Sequence, residues 1–294
     1  MTDRPGEKLR AGAVILILLL IPLAAHGDVL FLHGWMVNGV TWAVARLILA
    51  EEPYDIPSDQ ILSPTLPARV SLVRWADNIA RYIDRLPEGT KLTVVAHSFS
   101  GPASLFLLVA SRHIEDGDLR GWAESLQDRD PDLSRVASEL SAIADPEAWL
   151  AAAKRVEVLY LYQPALGGGC LACTVCEGAA STGRSIIRFF DALACDDAVK
   201  DMCLLGRTKG IVFSPEEIGA LEVPVVDVYT VSTGCAGPCE GRAETDGFVP
   251  LADQRLFLTA PNYREAFGGY HCHGDYVLNL SGALDDLFSI MFED

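Results

Sequence analysis

Two serines lie two residues apart in Ala96-His97-Ser98-Phe99-Ser100-Gly101, directly after the β-branched run Thr93-Val94-Val95 and before the helix-compatible SLFLLVASR. That order reads as a strand, a tight turn and a helix. A nucleophile at the tip of such a turn needs small residues two before and two after it, because the backbone there is crowded. Ser98 meets the condition with Ala96 and Ser100, whereas Ser100 would need Ser98 and Pro102 in those places and stands further from the strand end. Ser98 is therefore the candidate nucleophile. The N–H groups that open the following helix face the same point and favour developing negative charge.

A serine hydroxyl attacks a carbonyl only when a base takes its proton, and that base must be held by a carboxylate. The six histidines are His26, His33, His97, His113, His271 and His273. His26 falls in the apolar N-terminal stretch, His33 and His97 belong to turns, and His113 ends a helix. That leaves the pair in Tyr270-His271-Cys272-His273. AETDGFVP supplies a carboxylate, Asp246, after the next-to-last expected strand; Asp227, inside VVDVY, is the alternative acid and reads as a structural partner. The oxyanion of an acyl transfer needs N–H donors. Phe99, which follows the serine, supplies one, and Trp35 of LHGW the other, with Met36 as the next choice. Trp35, Met36, Phe99 and Phe248 would form an apolar mouth, in which Met36 and Phe248 are the candidate substrate-binding residues.

These residues need a scaffold, and the apolar runs provide it. DVLFLHG, KLTVVAH (91–97), VEVLYLYQPA (156–165), VPVVDVYTV (223–231) and RLFLTA (255–260) are apolar almost throughout, with QILSPTL (60–66) a weaker candidate. Such runs belong to strands buried on both faces, as in parallel sheets. Amphipathic segments such as VRWADNIARYIDRL alternate with them. The pattern predicts right-handed βαβ units and an α/β fold, a mostly parallel sheet of about six strands flanked by helices. Two stretches break the alternation: 114–155, polar and helix-prone, and 166–213, which holds five of the eight cysteines. Both are expected as cap-like insertions after strand ends.

The chain has 294 residues, 50% hydrophobic, and a net charge of −17. The apolar half is enough for a large core, and the acidic balance excludes a nucleic-acid partner, which would require clustered Lys and Arg. Arg4, Lys8 and Arg10 precede the apolar segment Ala11 to Ala25, too short for the roughly 20 residues of a membrane span. The segment reads as a signal peptide over 1–27, leaving 28–294 as one exported domain, periplasmic or secreted. The cysteines agree with export and are disulfide candidates: Cys170, Cys173, Cys176, Cys195, Cys203, Cys235, Cys239 and Cys272. The Cys-x-x-Cys-x-x-Cys spacing at 170–176 also suits a metal, but Cys176 is followed by Glu-Gly-Ala-Ala and not by a further cysteine and proline. Disulfides are the reading taken, with no cofactor and no metal.

Taken together, HGW, AHSFSG, TDGFVP and HGDYVLN resemble the secreted bacterial lipases and esterases of the α/β-hydrolase superfamily. The resemblance implies the α/β-hydrolase fold without its two leading strands and a catalytic triad in the order Ser98, Asp246, His273. It selects His273 over His271, because the family's histidine run falls loosely on His273-Gly274-Asp275-Tyr276-Val277-Leu278-Asn279. Acid and base loops lie close together in that fold, so Cys272 is expected to pair with Cys235 or Cys239. The implied substrate is a small-molecule or lipid ester, cleaved through an acyl-enzyme, with transient contact with a lipid surface. An acyltransferase or thioesterase would use the same triad, and a binding protein on this scaffold would lack one of its members. Ala96 stands where the family more often has glycine, and the cysteine-rich stretch has no counterpart in it.

Overall fold

The computed structural model describes residues 27–35, 37–169, 172–177, 195–208, 212–232, 235, 244–255 and 260–292. The apolar runs form one sheet of six described strands: β1 (Asp28–Leu32), β2 (Ile61–Leu62), β3 (Leu92–His97), β4 (Val156–Tyr162), β5 (Val225–Tyr229) and β6 (Tyr263–Phe267). Every neighbouring pair is parallel, in the order β2-β1-β3-β4-β5-β6. The chain steps outward from β1 to β2 and then crosses back over β1 to β3. Such a reversal opens a crevice at the C-terminal ends of β1 and β3, where open α/β sheets bind ligands.

The described helices are α1 (Ala43–Leu49), α2 (Leu72–Asp84), α3 (Ser100–Glu115), α4 (Leu119–Arg129), α5 (Ser134–Ser141), α6 (Pro146–Ala153), α7 (Ala172–Glu177), α8 (Asp197–Thr208), α9 (Pro215–Gly219), α10 (Leu251–Gln254) and α11 (Ala283–Phe292). Local signals set several starts. Asp145 caps α6 and Pro146 opens it, while Ser214 and Glu217 form a reciprocal capping box on α9. On α2 the buried residues Leu72, Trp75, Ala76, Ile79 and Ile83 recur at helical spacing and make one apolar face.

Strand alternation divides the core in two. Leu30, Leu32, Val94, Ala96, Leu159 and Leu161 face Trp75, Ile79, Phe106 and Trp149 on α2, α3 and α6. Val29, Phe31, Val95, Tyr160, Val226 and Val228 face Trp42, Leu49, Leu284, Leu287 and Phe288, on the side of α1 and α11. Each large apolar side chain buried in this way stabilises the fold by roughly 1.5–3 kcal/mol. The result is three layers, helices on both faces of a parallel sheet.

One strand expectation falls outside the described residues, and one insertion expectation needs correction. Among the described residues the last strand is Tyr263–Phe267, whereas 256–259 of the expected strand 255–260 lie outside them. YREAF was passed over because it is an edge strand with exposed and half-exposed positions, and carries no continuous apolar run. The 114–155 stretch leaves from the end of helix α3 and not from a strand. Its helices α4–α6 extend the α2–α3 layer, with the Trp149 indole N–H donating to Asp77 (2.9 Å) and Ser111 Oγ–H to the Trp149 carbonyl (3.1 Å).

Two disulfides cross-link the described part of the cysteine-rich stretch: Cys173–Cys203 and Cys176–Cys195 tie α7 to α8 and to the residues just before it, and these four cysteines are thereby not available as metal ligands. Cys170 and Cys239 lie outside the described residues, as does 1–26 of the expected signal peptide. Among the described residues no helix is long and apolar enough to cross a membrane.

Asp201 of α8 joins this stretch to the helical layer. Its side chain is 1% exposed, is bonded to Arg135 of α5, and accepts from the Leu72 N–H at the start of α2 (2.6 Å). Burial outweighs both partners and pushes its pKa up from 3.8 to about 6. A folded-state pKa above the unfolded one means that the folded chain binds the extra proton between about pH 4 and 6, so this group's contribution to stability falls as pH rises through that window. Asp201→Asn is expected to remove the slope. The wild type, compared with the variant by urea unfolding, should lose about 2 kcal/mol between pH 4 and pH 7; a difference independent of pH would contradict the raised pKa.

Candidate active site

β3 ends at His97 and α3 begins at Ser100, so Ser98 lies where the chain must turn sharply. It turns with a φ of 55°, in the left-handed region that side-chain-bearing residues disfavour. Three backbone hydrogen bonds hold the turn. Ser98 N–H donates to the Tyr162 carbonyl (3.1 Å), and the Ser98 carbonyl accepts from Gly101 N–H (3.0 Å) and Ala165 N–H (3.2 Å). Space is restricted on both sides. A methyl group on Gly34 would lie 2.7 Å from Ser98 Cβ, and one on Gly101 would lie 2.8 Å from Pro164 Cβ. Ser100, the second serine, is buried and donates its hydroxyl to the His33 carbonyl, so it clasps the turn to the loop after β1. Ser98 is 8% exposed.

The loops after β5 and β6 meet Ser98 from the other side. With its proton on Nδ1, His273 donates to Asp246 Oδ2 (2.6 Å) and accepts the Ser98 hydroxyl at Nε2 (2.9 Å). Asp246 is fully buried, and its second oxygen accepts from the N–H groups of Phe248 (2.9 Å) and Val249 (2.7 Å). The His273 backbone N–H donates to the Asp246 carbonyl at 2.9 Å, so the two loops are joined through main chain as well as side chain. In this arrangement the serine proton has an acceptor, and the resulting imidazolium has a fixed counter-charge.

The alternatives are occupied elsewhere. His271 Nε2 pairs with Asp286 of α11 at 2.6 Å, and Asp227 accepts from the Tyr263 hydroxyl, with burial holding its carboxyl pKa well above the usual range. His33 bonds to the Gly34 carbonyl through Nδ1–H (2.9 Å) and accepts the Leu66 N–H at Nε2 (2.9 Å); burial lowers its pKa. His97 donates Nε2–H to the His273 carbonyl (3.0 Å), with the two rings 4.6 Å apart. Burial drives the pKa of His97 well below that of a free imidazole.

The expected binding residues divide. Phe248, 39% exposed, stacks on the His273 ring at 5.4 Å. Phe99 does not form part of a mouth: its ring is fully buried, edge-on to Trp75 at 5.1 Å. Its N–H stands at the start of α3, where helix N–H groups have no intrahelical acceptor. Trp35 is half-buried after β1, and its indole N–H donates to Asp196 (3.2 Å). Met36 lies outside the described residues.

Two ties went unread in the sequence or depended on the family resemblance. Gln163 follows β4 with a φ of 47°, fully buried, and its amide nitrogen donates to Thr230 Oγ1 (2.7 Å) and the Cys272 carbonyl (3.1 Å). A glutamine directly after the apolar YLY run was the available signal. The structure also pairs Cys235 with Cys272, one residue before His273.

No protein-family model and no curated protein matches the sequence. Solved structures do match by fold. The lipase BlEst2 of Bacillus licheniformis, in its mature form, aligns with a TM-score of 0.55 over 91% of this chain and 92% of its own, at 15% identity. A metagenomic carboxyl esterase aligns with a TM-score of 0.51 over 92% of this chain and 76% of its own, at 17% identity. The chain has the α/β-hydrolase fold.

Close approach at the elbow can be tested without assuming any activity. Gly34→Ala places a methyl group 2.7 Å from Ser98 Cβ, whereas a methyl group at Gly274 meets nothing. Urea unfolding should show Gly34→Ala less stable by about 1–3 kcal/mol. Gly274→Ala should be unchanged or stabilised by up to about 1 kcal/mol.

Proposed function

We propose that the protein is an exported serine hydrolase that cleaves carboxylic esters, of lipase or esterase type, through an acyl-enzyme. The observation that carries this reading is the continuous hydrogen-bond chain from Ser98 Oγ through His273 to buried Asp246. Ser98 Oγ bonds to the ester carbonyl carbon as its proton passes to His273 Nε2, and the carbonyl π pair moves onto oxygen. The N–H groups of Phe99 and Trp35 stabilise that oxyanion. Collapse of the adduct breaks the bond to the alkoxy group, which leaves with the proton from His273. Water, deprotonated by the same imidazole, then attacks the acyl carbon; the second adduct collapses by breaking the bond to Ser98 Oγ, which takes the proton back from His273, and the acid is released. Asp246 keeps the proton on Nδ1 and stabilises the imidazolium, in the manner of other Ser-His-Asp sites.

Phe248, beside the His273 ring, and Met36 are assigned to the apolar part of the ester, which is either a small molecule or a lipid. Leu278 and Leu280, exposed in the turn after His273, support transient contact with a lipid surface. Export is supported by the charged and apolar N-terminal segment together with the disulfides. No cofactor enters the reaction.

Labelling with a fluorophosphonate, followed by peptide mapping, tests the reading. The adduct is expected on Ser98, absent from Ser98→Ala and retained in Ser100→Ala. Turnover of a p-nitrophenyl ester should fall about 10⁶-fold in Ser98→Ala and about 10⁴-fold in Asp246→Asn. Unlabelled wild-type protein, or undiminished turnover in Ser98→Ala, would sink the proposal. Product analysis with an added alcohol separates hydrolysis from acyl transfer.

A further inference from the structure

Asp196 of the cysteine-rich stretch contacts the loop after β1 through its carboxylate. Asp196, 14% exposed at its side chain, stands immediately before α8 with its two oxygens divided between two donors. Oδ1 accepts from the Val199 N–H at 2.9 Å and caps the helix; Oδ2 accepts from the Trp35 indole N–H at 3.2 Å. Arg69 approaches Oδ2 at 4.0 Å. The position of Asp196 is itself determined from several sides. Its neighbour Cys195 is disulfide-bonded to Cys176, Cys203 of α8 is bonded to Cys173, and Asp201 of α8 holds Arg135 and the Leu72 N–H.

Trp35 lies in the link between β1 and the helical turn Gly39–Trp42, just after His33 and Gly34, which are held against the turn at Ser98. Its ring packs against the core beneath α2 and α3, and Asp196 holds the polar edge. An indole fixed at both ends fixes the Cα to which it is attached, and with it the direction of the Trp35 backbone N–H. An oxyanion donor is effective only at about 2.7–3.1 Å from the developing charge. We infer that Asp196 is a positioning residue for the oxyanion loop, so that the disulfide-bonded α7–α8 pair acts on the site through Trp35. The inference rests on the esterase reading and adds to it a residue from the stretch that has no counterpart in the resembling family.

Asp196→Asn discriminates this role from simple helix capping. Asparagine caps helices as well as aspartate does, but its single carbonyl oxygen cannot serve two donors that lie on different oxygens, and its amide N–H₂ then faces the indole N–H. Trp35→Phe removes the donor and keeps an aromatic ring. With a p-nitrophenyl ester, each single variant should lower kcat by about tenfold or more while KM stays within about twofold. The double variant should be no worse than the poorer single one, as expected for two residues acting through one contact. Melting of Asp196→Asn should stay near the wild type, and saturating fluorophosphonate should still label Ser98. Unchanged kcat in Asp196→Asn, or losses that add in the double variant, would reduce Asp196 to a helix cap and overturn the inference while leaving the hydrolase intact. Absence of a Ser98 adduct in the wild type would instead overturn the hydrolase reading, and this inference with it.

Discussion

A side-chain-bearing residue at a φ of 55° costs on the order of 1–2 kcal/mol, and Ser98 adopts that conformation because strand β3 and helix α3 leave almost no chain between them in which to turn. Much of the surrounding sequence follows from that one backbone angle. Ala96 and Ser100 are small because the turn folds over them, and Gly34 is side-chain-free because the neighbouring loop passes directly against Ser98. The strand on the other side contributes as well: Tyr162 and Ala165, at the end of β4 and just beyond it, bond to both backbone groups of Ser98. A conformation that the residue would not choose alone is thus imposed by two adjacent strands and a helix, as is common where strain is kept at a functional position.

The opposite half of the site is made from loops, and loops need anchors that strands do not. Asp246 uses its buried oxygens on two backbone N–H groups as well as on His273, so the carboxylate is fixed by more than the histidine. Gln163 bonds to the end of β5 and to the histidine loop at once, and Cys235–Cys272 closes the same gap covalently. Aromatic rings complete the support. Trp42 lies against Tyr276, Tyr276 against His97, and His97 against His273, with Phe248 on the outer side of the His273 ring. The imidazole thus has ring contacts to both His97 and Phe248 in addition to its hydrogen bonds.

How much of this could be read from the chain depended on whether the cause was local. The central strands were legible because burial on both faces demands apolar residues at every position, and the elbow was legible because its small residues lie within a few positions of Ser98. Strand β6 was not, since an edge strand tolerates Arg264 and Glu265 and loses the signature. His271 and His273 are two residues apart, and spacing alone does not say which one faces Ser98; the family resemblance favoured His273, and the hydrogen bond to Asp286 shows where the other goes. Phe99 has the sequence position of a residue beside a site, yet its ring is buried against Trp75. The Trp35–Asp196 contact spans 161 residues and leaves no local pattern at all.

Ser98 and the imidazole that bonds to it are 175 residues apart in the chain. The turn at Ser98 is held by β1, β3 and β4, all complete by residue 162, whereas the imidazole lies in the loop after β6. Only when β6 docks at the sheet edge is the histidine loop brought to Ser98. The Ser98–His273 hydrogen bond therefore joins residues that only the assembled sheet brings together, and its presence reports on the whole fold rather than on any one segment.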